Sequence, residues 1–145
     1  MRRGSLASVY IAAVLAGLVG CSPAGVPTHP VHGEIYYRGR PVAEAIVVFH
    51  PLGDNPATAI KPMAHTDAQG RFTLTTLTPG DGAPPGDYAI TVELREAVLV
   101  GEEKTRTGQS LLAKRYSSPD KSPLRFRVMP GDNTVPRIEV TDSAK

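Results

Sequence analysis

The sequence predicts an all-β fold, a β-sandwich of about seven short strands. Apolar and polar residues alternate in several short runs, which is the period of a strand with one buried face. The 14 glycines and 14 prolines fall largely between these runs, where turns are expected. The chain shows neither heptads nor an internal repeat, so the pattern indicates neither a coiled coil nor a solenoid.

The N-terminus has the three zones of an export signal. Arg2 and Arg3 are basic, residues 6–19 are mostly small and apolar, and Pro23 follows shortly after. The apolar segment is shorter than the roughly 20 residues that a membrane span needs. We therefore predict a helical signal peptide over residues 1–20. A secretory signal with an incidental cysteine and an uncleaved anchor helix are the alternatives.

Leu18-Val19-Gly20-Cys21 ends this segment and contains the chain's single cysteine. The tetrapeptide resembles the lipobox of bacterial lipoproteins, in which Leu, a small or apolar residue and Gly or Ala precede Cys. The resemblance implies a diacylglyceryl thioether on Cys21, cleavage before it, and acylation of the new amine with a chain such as palmitate. Several chains on one residue anchor a protein stably, because each buried methylene contributes about 0.8 kcal/mol.

The same resemblance implies a lipid-anchored protein of the cell envelope. Ser22 stands where an Asp would favour retention in the inner membrane, which points to the periplasmic side of the outer membrane. The 16 basic and 14 acidic residues become 14 and 14 when Arg2 and Arg3 are removed. A neutral domain with mixed charges offers no electrostatic case for nucleic-acid binding, and a lone cysteine excludes a disulfide framework.

Residues 21–30 are proline-rich and predict a linker, residues 31–141 form the predicted domain, and residues 142–145 form a tail. Within the domain the alternation and the turn signals predict strands over residues 31–38, 45–50, 63–66, 71–75, 87–94, 124–128 and 135–140. Asp67-Ala68-Gln69-Gly70 predicts the turn of a β-hairpin. Residues 95–122 carry no clear pattern, and within them residues 97–116 are our candidate for contact with a partner, because binding loops are carried on rigid scaffolds.

Four segments occur together in a characteristic order. They are Val31-His32-Gly33, Gly39-Arg40-Pro41-Val42, residues 66–72 and Pro85-Gly86-Asp87-Tyr88. This set is similar to the carboxypeptidase regulatory-like domain, also called transthyretin-like, although Glu44 stands where that family often has Gly. The resemblance implies an immunoglobulin-like sandwich whose core holds Val47, Phe49, Phe72, Ile90 and Val92. The family consists mostly of accessory modules, so the resemblance implies a fold and little chemistry.

Candidate chemistry is sparse in this sequence. The histidines at positions 29, 32, 50 and 65 lack the spacing of a metal site, and no G-x-S-x-G motif is present. A hydrolase with the transthyretin-like fold ends in Tyr-Arg-Gly-Ser, whereas this chain ends at Ala144 and Lys145. We therefore predict no catalytic residue, no metal and no cofactor, and Cys21 is the one predicted site.

The sequence thus predicts a non-catalytic, lipid-anchored envelope protein with a structural or protein-interaction role. The partners predicted are the membrane, through lipid on Cys21, and an envelope protein or a glycan. A glycan-binding module is the alternative function. Its usual sign is a coplanar pair of exposed aromatic rings, whereas Tyr36 and Tyr37 alternate between faces and the chain has no Trp. A hydrolase of the transthyretin-like fold is the third class considered.

Overall fold

In a computed structural model the chain is described over residues 25–53 and 60–142, and this part is nearly all β. The predicted fold class, an all-β sandwich, is confirmed. Over these described residues the chain forms eleven short strands and one 3₁₀ helix at Lys114–Ser117. The strands are β1 (Val31–Tyr37), β2 (Arg40–Pro41), β3 (Ile46–Pro51), β4 (Met63–His65), β5 (Arg71–Thr73), β6 (Gly86–Glu93), β7 (Val98–Val100), β8 (Glu103–Thr105), β9 (Arg125–Val128), β10 (Asn133–Thr134) and β11 (Ile138–Val140).

The first sheet is built around β1. Strand β5 and the short β2 pair with it in antiparallel orientation, and β10 and β11 pair with it in parallel orientation. The second sheet has the order β4-β3-β6-β9 and is antiparallel throughout. Strands β7 and β8 form a separate two-stranded sheet. The count exceeds the predicted seven by four strands of two or three residues, β2, β7, β8 and β10.

The core lies between the two large sheets, as the alternation predicts. Phe49 lies at its centre, with ring centroids 5.7 Å from Tyr88, 6.3 Å from Phe126 and 6.5 Å from Phe72. The Tyr88 hydroxyl donates a hydrogen bond to the Pro84 carbonyl at 2.8 Å, so a buried polar atom has a partner. The residues predicted to face inward on β3, β5, β6 and β11 are buried: Val47, Phe49, Phe72, Tyr88, Ile90, Val92, Ile138 and Val140.

Strand β6 differs from the prediction because it is buried on both faces. Ala89 and Thr91, which alternation assigns to solvent, are also buried. Ala89 lies between His50 of β3 and Arg125 of β9, and Thr91 shares a 2.8 Å hydrogen bond with His50 Nε2. A small side chain on a central strand is covered by longer neighbours on both sides, so its exposure cannot be read from alternation alone.

The predicted hairpin over residues 63–75 is present, but its two arms lie in different sheets. Asp67 and Arg71 close the turn, and Met63 and Thr75 exchange two backbone hydrogen bonds at the other end. Between these points β4 pairs with β3 and β5 pairs with β1. The hairpin therefore connects the two sheets at one side of the sandwich.

Backbone pairing begins earlier and ends later than the predicted domain boundaries of 31 and 141. His29 exchanges two hydrogen bonds with Ala83, at 2.9 and 3.0 Å, so the end of the predicted linker is part of the sheet structure. Asp142 pairs with Leu112 and accepts hydrogen bonds from the Arg38 guanidinium. Over residues 25–53 and 60–142 no helix has the length and hydropathy of a membrane span.

Candidate functional site

A groove of about 810 Å³ crosses the outer face of the first sheet. Alternation along β1 turns Val31 and Ile35 into the core and places His32 and Glu34 on the outside. Strand β5 contributes Thr73 and Arg71 beside them, at register positions opposite His32 and Glu34. The further lining residues are Gly33, His65, Asp67, Phe72, Thr134, Val135, Pro136 and Arg137.

The groove follows a β-bulge between β10 and β11. His32 is paired with Thr134, whereas Ile35 is paired with Ile138, so two residues of β1 lie opposite the three residues 135–137. Val135 still donates its N–H to the His32 carbonyl at 2.8 Å, but Pro136 has no N–H to donate. The bulged segment forms one wall of the groove, since residues 134–137 all line it.

Gly33 lies at the floor of the groove because no larger residue fits there. A β-carbon on Gly33 would lie 2.7 Å from Cζ of Phe72 and 2.9 Å from Cβ of Val135, closer than side-chain carbons approach each other. The Phe72 ring and Val135 therefore fill the space beneath β1, and the floor of the groove is apolar.

The rim of the groove is polar, and several of its side chains contact one another. His32 Nε2 and the Thr134 hydroxyl are 2.9 Å apart. Arg137 lies 3.6 Å from a Glu34 carboxylate oxygen, and its guanidinium carbon lies 4.1 Å from the centroid of the Tyr36 ring. One face of the Tyr36 ring is thus covered by a cation.

One end of the groove is a tight turn ordered by Asp67. Its Oδ1 accepts hydrogen bonds from the N–H groups of Gln69 and Arg71, both at 2.9 Å, and its Oδ2 accepts one from Arg71 Nε at 3.1 Å. The Arg71 N–H lowers the pKa of the Asp67 carboxyl most. Burial has the next largest effect and raises the pKa, while the Gln69 N–H and the Arg71 guanidinium lower it further, so that the pKa is lowered overall. Both carboxylate oxygens of Asp67 accept hydrogen bonds within the turn, and these bonds fix the position of Arg71 at the rim of the groove.

The groove chemistry is suited to recognition of a polar ligand. A hydroxyl next to an imidazole also occurs in nucleophile–base pairs, but such pairs need a third group that orients the imidazole. Within the described residues, no side chain hydrogen-bonds the second ring nitrogen of His32. The same part of the chain holds no group of three or more His, Cys, Asp or Glu side chains placed to bind a metal ion.

His29 and His50 lie outside the groove that His32 and His65 line. His29 accepts a hydrogen bond from the Gly131 N–H at 3.0 Å, and His50 bonds Thr91 on the second sheet. His65 lies opposite Ile46 rather than His50, so the two are not cross-strand partners. Burial, together with the positive charge of Lys61, lowers the pKa of His50.

The β7–β8 hairpin forms a second candidate surface. It lies within residues 97–116, and two of its side chains, Leu99 at 74% and Val100 at 61%, are largely exposed. Glu44 ties the hairpin to the sandwich by accepting a hydrogen bond from Arg106 Nε, and Arg106 also donates to the Arg95 carbonyl at 3.0 Å. Glu44 adopts φ +61°, a left-handed conformation that is uncommon for a residue with a β-carbon.

The rest of the segment 95–122 contributes to the core. Leu112, Ala113 and Tyr116 are buried, and the Ala113 N–H donates to the Thr141 carbonyl at 3.2 Å. This part closes the sandwich next to β11, and the β7–β8 hairpin carries the two most exposed large apolar side chains of the segment, Leu99 and Val100.

The single predicted site residue, Cys21, lies outside the described residues, as do the signal peptide over residues 1–20 and the last three residues.

The groove was not predicted. Its one sequence signal is Pro136, because a proline inside a strand-like run marks a bulge or an edge.

No protein-family model and no curated protein matches the chain. Solved structures do match it at low identity. A candidate carbohydrate-binding protein from Pseudomonas aeruginosa is 15% identical, with a TM-score of 0.42 over 81% of this chain and 90% of the other. A DUF3823 family protein from Parabacteroides merdae is 14% identical, with a TM-score of 0.41 over 81% and 47%. The major pilin subunit of Bacillus cereus is 14% identical, with a TM-score of 0.44 over 81% and 30%.

Proposed function

We propose that this chain is a non-catalytic, lipid-anchored protein of the cell envelope that holds a β-sandwich close to the membrane and contacts another envelope protein. Leu18-Val19-Gly20-Cys21 at the end of an apolar segment supports lipidation of Cys21. Backbone pairing starts at His29, eight residues later, so the sandwich begins within about 28 Å of the anchor. Ser22 favours the periplasmic side of the outer membrane.

The observation that carries the contact role is the β7–β8 hairpin. It pairs with neither large sheet, and Leu99 and Val100, two successive residues of β7, are both exposed. A two-stranded sheet has unpaired backbone groups on its outer edges, and these can accept a strand from a partner while the apolar side chains fill pockets on it. The Glu44–Arg106 ion pair holds the hairpin against the sandwich, which lowers the entropic cost of binding.

Two experiments test this function. In a bacterium that lipidates proteins, Cys21→Ser should abolish labelling with a radioactive fatty acid and move the protein from the membrane to the soluble fraction. A photo-crosslinking amino acid at Leu99 in intact envelopes should yield one discrete protein adduct. The same reporter at Leu111, which is exposed outside the hairpin, is the matched control.

Val100→Asp should remove the Leu99 adduct while the anchor remains intact. Labelling that persists in Cys21→Ser would refute the lipid anchor. Equal adducts at Leu99 and Leu111, or an adduct that survives Val100→Asp, would refute the hairpin as the contact surface.

Glycan binding is the second candidate function, and the groove favours it. Planar groups on Arg71, Arg137 and Glu34 surround an apolar floor, and such groups pair well with sugar hydroxyls. Because Arg137 covers one face of the Tyr36 ring, we expect recognition to use mainly hydrogen bonds from the rim. Soluble peptidoglycan fragments and neutral oligosaccharides are suitable probes in titration calorimetry.

Arg137→Ala should weaken glycan binding at least tenfold, because it removes both the rim cation and the partner of Glu34. Arg125→Ala on the second sheet is the matched control and should bind like the parent. Binding that is unaffected by Arg137→Ala would place any glycan elsewhere. Turnover of a probe sugar would instead favour the third class, a hydrolase, for which the His32–Thr134 contact would be the first candidate.

A further inference from the structure

Four exposed apolar side chains lie in three loops at one end of the sandwich. They are Leu52 (48%), Ile60, Leu77 (60%) and Met129 (55%). The loops follow β3, precede β6 and follow β9. Exposed apolar residues are normal when scattered, but a group at one end of a domain marks a surface that contacts something apolar.

This end is the one at which the N-terminal segment enters the domain. His29 pairs with Ala83 in the loop before β6, and its Nδ1 accepts a hydrogen bond from the Gly131 N–H in the loop after β9. In the second sheet Pro51 is opposite Tyr88 and Gly86 is opposite Val128, so the loop after β3 lies at the same end. The β7–β8 hairpin follows the other end of β6.

The loop that carries Leu77 is held in a fixed shape. The Asp81 carboxylate accepts hydrogen bonds from the backbone N–H groups of Thr76, Leu77 and Thr78, at 2.6, 2.9 and 3.0 Å. The Thr76 hydroxyl donates to the Gly82 carbonyl at 2.6 Å. A loop ordered in this way displays Leu77 to solvent instead of letting it fold back onto the core.

Charge is distributed unevenly between the two ends. The three loops, residues 52–62, 74–85 and 129–132, contain four charged residues, Asp54, Lys61, Asp81 and Asp132, and the Asp81 carboxylate is bonded to backbone. One exposed ion pair, between Arg127 and Asp87, lies on the strands next to them. At the opposite end, ion pairs join Arg38 to Asp142 and Arg106 to Glu44, and further charged residues surround them: Arg40, Glu93, Arg95, Glu96, Glu102, Glu103, Lys104 and Glu139.

We propose that this end of the sandwich lies on the surface of the bilayer that holds the lipid anchor, with Leu52, Leu77 and Met129 in contact with lipid. The inference rests on the proposed lipidation of Cys21. His29 is the eighth residue after Cys21, so the bilayer surface lies within about 28 Å of the entry point. Apolar side chains on a weakly charged surface so near a bilayer reach its interface, where their burial is favourable. The domain then stands on the membrane, and the β7–β8 hairpin points away from it.

Site-specific fluorescence in vesicles tests this orientation. The full-length chain, processed in a bacterium that lipidates proteins, is purified in detergent and reconstituted into vesicles of phosphatidylethanolamine and phosphatidylglycerol. The sulfur of lipidated Cys21 is part of a thioether and does not react with a thiol label. A single introduced cysteine is therefore the one free thiol in each variant, Leu77→Cys, Met129→Cys or Leu99→Cys. The fluorescence of an NBD label at position 77 or 129 should be quenched by nitroxide lipids. The same label should be shielded severalfold from quenching by iodide in the aqueous phase. The label at position 99 should show the reverse.

A second variant makes the result independent of one label. Leu77→Ser with Met129→Ser should still float with vesicles, but a label at Leu52→Cys should lose at least half of its quenching by nitroxide lipids. Leu99→Ser with Val100→Ser is the matched control and should leave that quenching unchanged.

The outcomes separate the two proposals. Labels at 77 and 129 that are as accessible to iodide as the label at 99, on a protein that floats with vesicles, would overturn the orientation and leave the anchor intact. A protein that carries no lipid and fails to float would overturn the anchor, and the orientation with it.

Discussion

Glu44 and Arg106 form an ion pair across 62 residues of sequence, and Glu44 makes it from a left-handed backbone conformation with φ +61°. The Arg106 guanidinium lowers the pKa of the Glu44 carboxyl. A non-glycine residue in this conformation carries backbone strain, so the position combines a local cost with a contact that holds the β7–β8 hairpin.

Glu44→Gly separates these two effects. Glycine relieves the strain at positive φ, so we expect the Tm to rise by a few degrees, measured by circular dichroism. The lost ion pair should at the same time speed amide exchange in β7 and β8. Arg106→Gln is the control: it removes the ion pair and keeps the strain, so it should speed exchange in the hairpin without raising the Tm. A Glu44→Gly protein that melts below Arg106→Gln would contradict this account.

Phe49→Ala tests the centre of the core. Phe49 contacts three aromatic rings, from Phe72, Tyr88 and Phe126, and is fully buried. We expect the free energy of unfolding in urea to fall by about 3–5 kcal/mol, the usual cost of removing a buried phenylalanine. Phe126→Ala, at the half-buried edge of the same cluster, should cost clearly less. An equal or larger cost for Phe126 would mean that the cluster is centred elsewhere.

Much of the sandwich could be predicted because inward and outward residues alternate along its longer strands. Strands β1 and β3 show this directly: Val31, Ile35, Val47 and Phe49 are buried where alternation places them. Alternation does not say which strand lies next to which, so it could not reveal that β4 and β5 of one hairpin belong to different sheets.

The groove and the hairpin were less predictable for a different physical reason. The groove depends on one extra residue between Thr134 and Ile138, and its effect appears only when β10 and β11 are aligned on β1. In the hairpin, neighbouring Leu99 and Val100 are both exposed, so the run carries no alternation that separates an inner from an outer face.

His50 predicts how stability depends on pH. Burial lowers its pKa below the ordinary value of 6.5, and Lys61 lowers it further. The unfolded chain therefore binds the proton more readily, and the free energy of unfolding should fall as the pH drops from about 7.5 to about 5. The NMR titration midpoint of the His50 ring should lie below 6.5, and His50→Gln should flatten this part of the stability curve. A midpoint at or above 6.5 would contradict the role assigned to burial.

Asp81→Asn tests the loop that displays Leu77. Burial raises the pKa of the Asp81 carboxyl, but the N–H groups of Thr76, Thr78 and Leu77 outweigh it and lower the pKa overall. The amide keeps one acceptor oxygen and loses the charge, so we expect a loss of about 1 kcal/mol in the free energy of unfolding at neutral pH. Because the folded pKa is the lower one, this stabilisation is present above the unfolded pKa and disappears as the pH falls through the folded value. The difference between parent and Asp81→Asn in urea unfolding should therefore shrink below about pH 4.

Asp132→Asn in the neighbouring exposed loop is the matched control and should change stability by less than about 0.5 kcal/mol. A constant difference down to low pH would show that Asp81 acts through its shape rather than its charge.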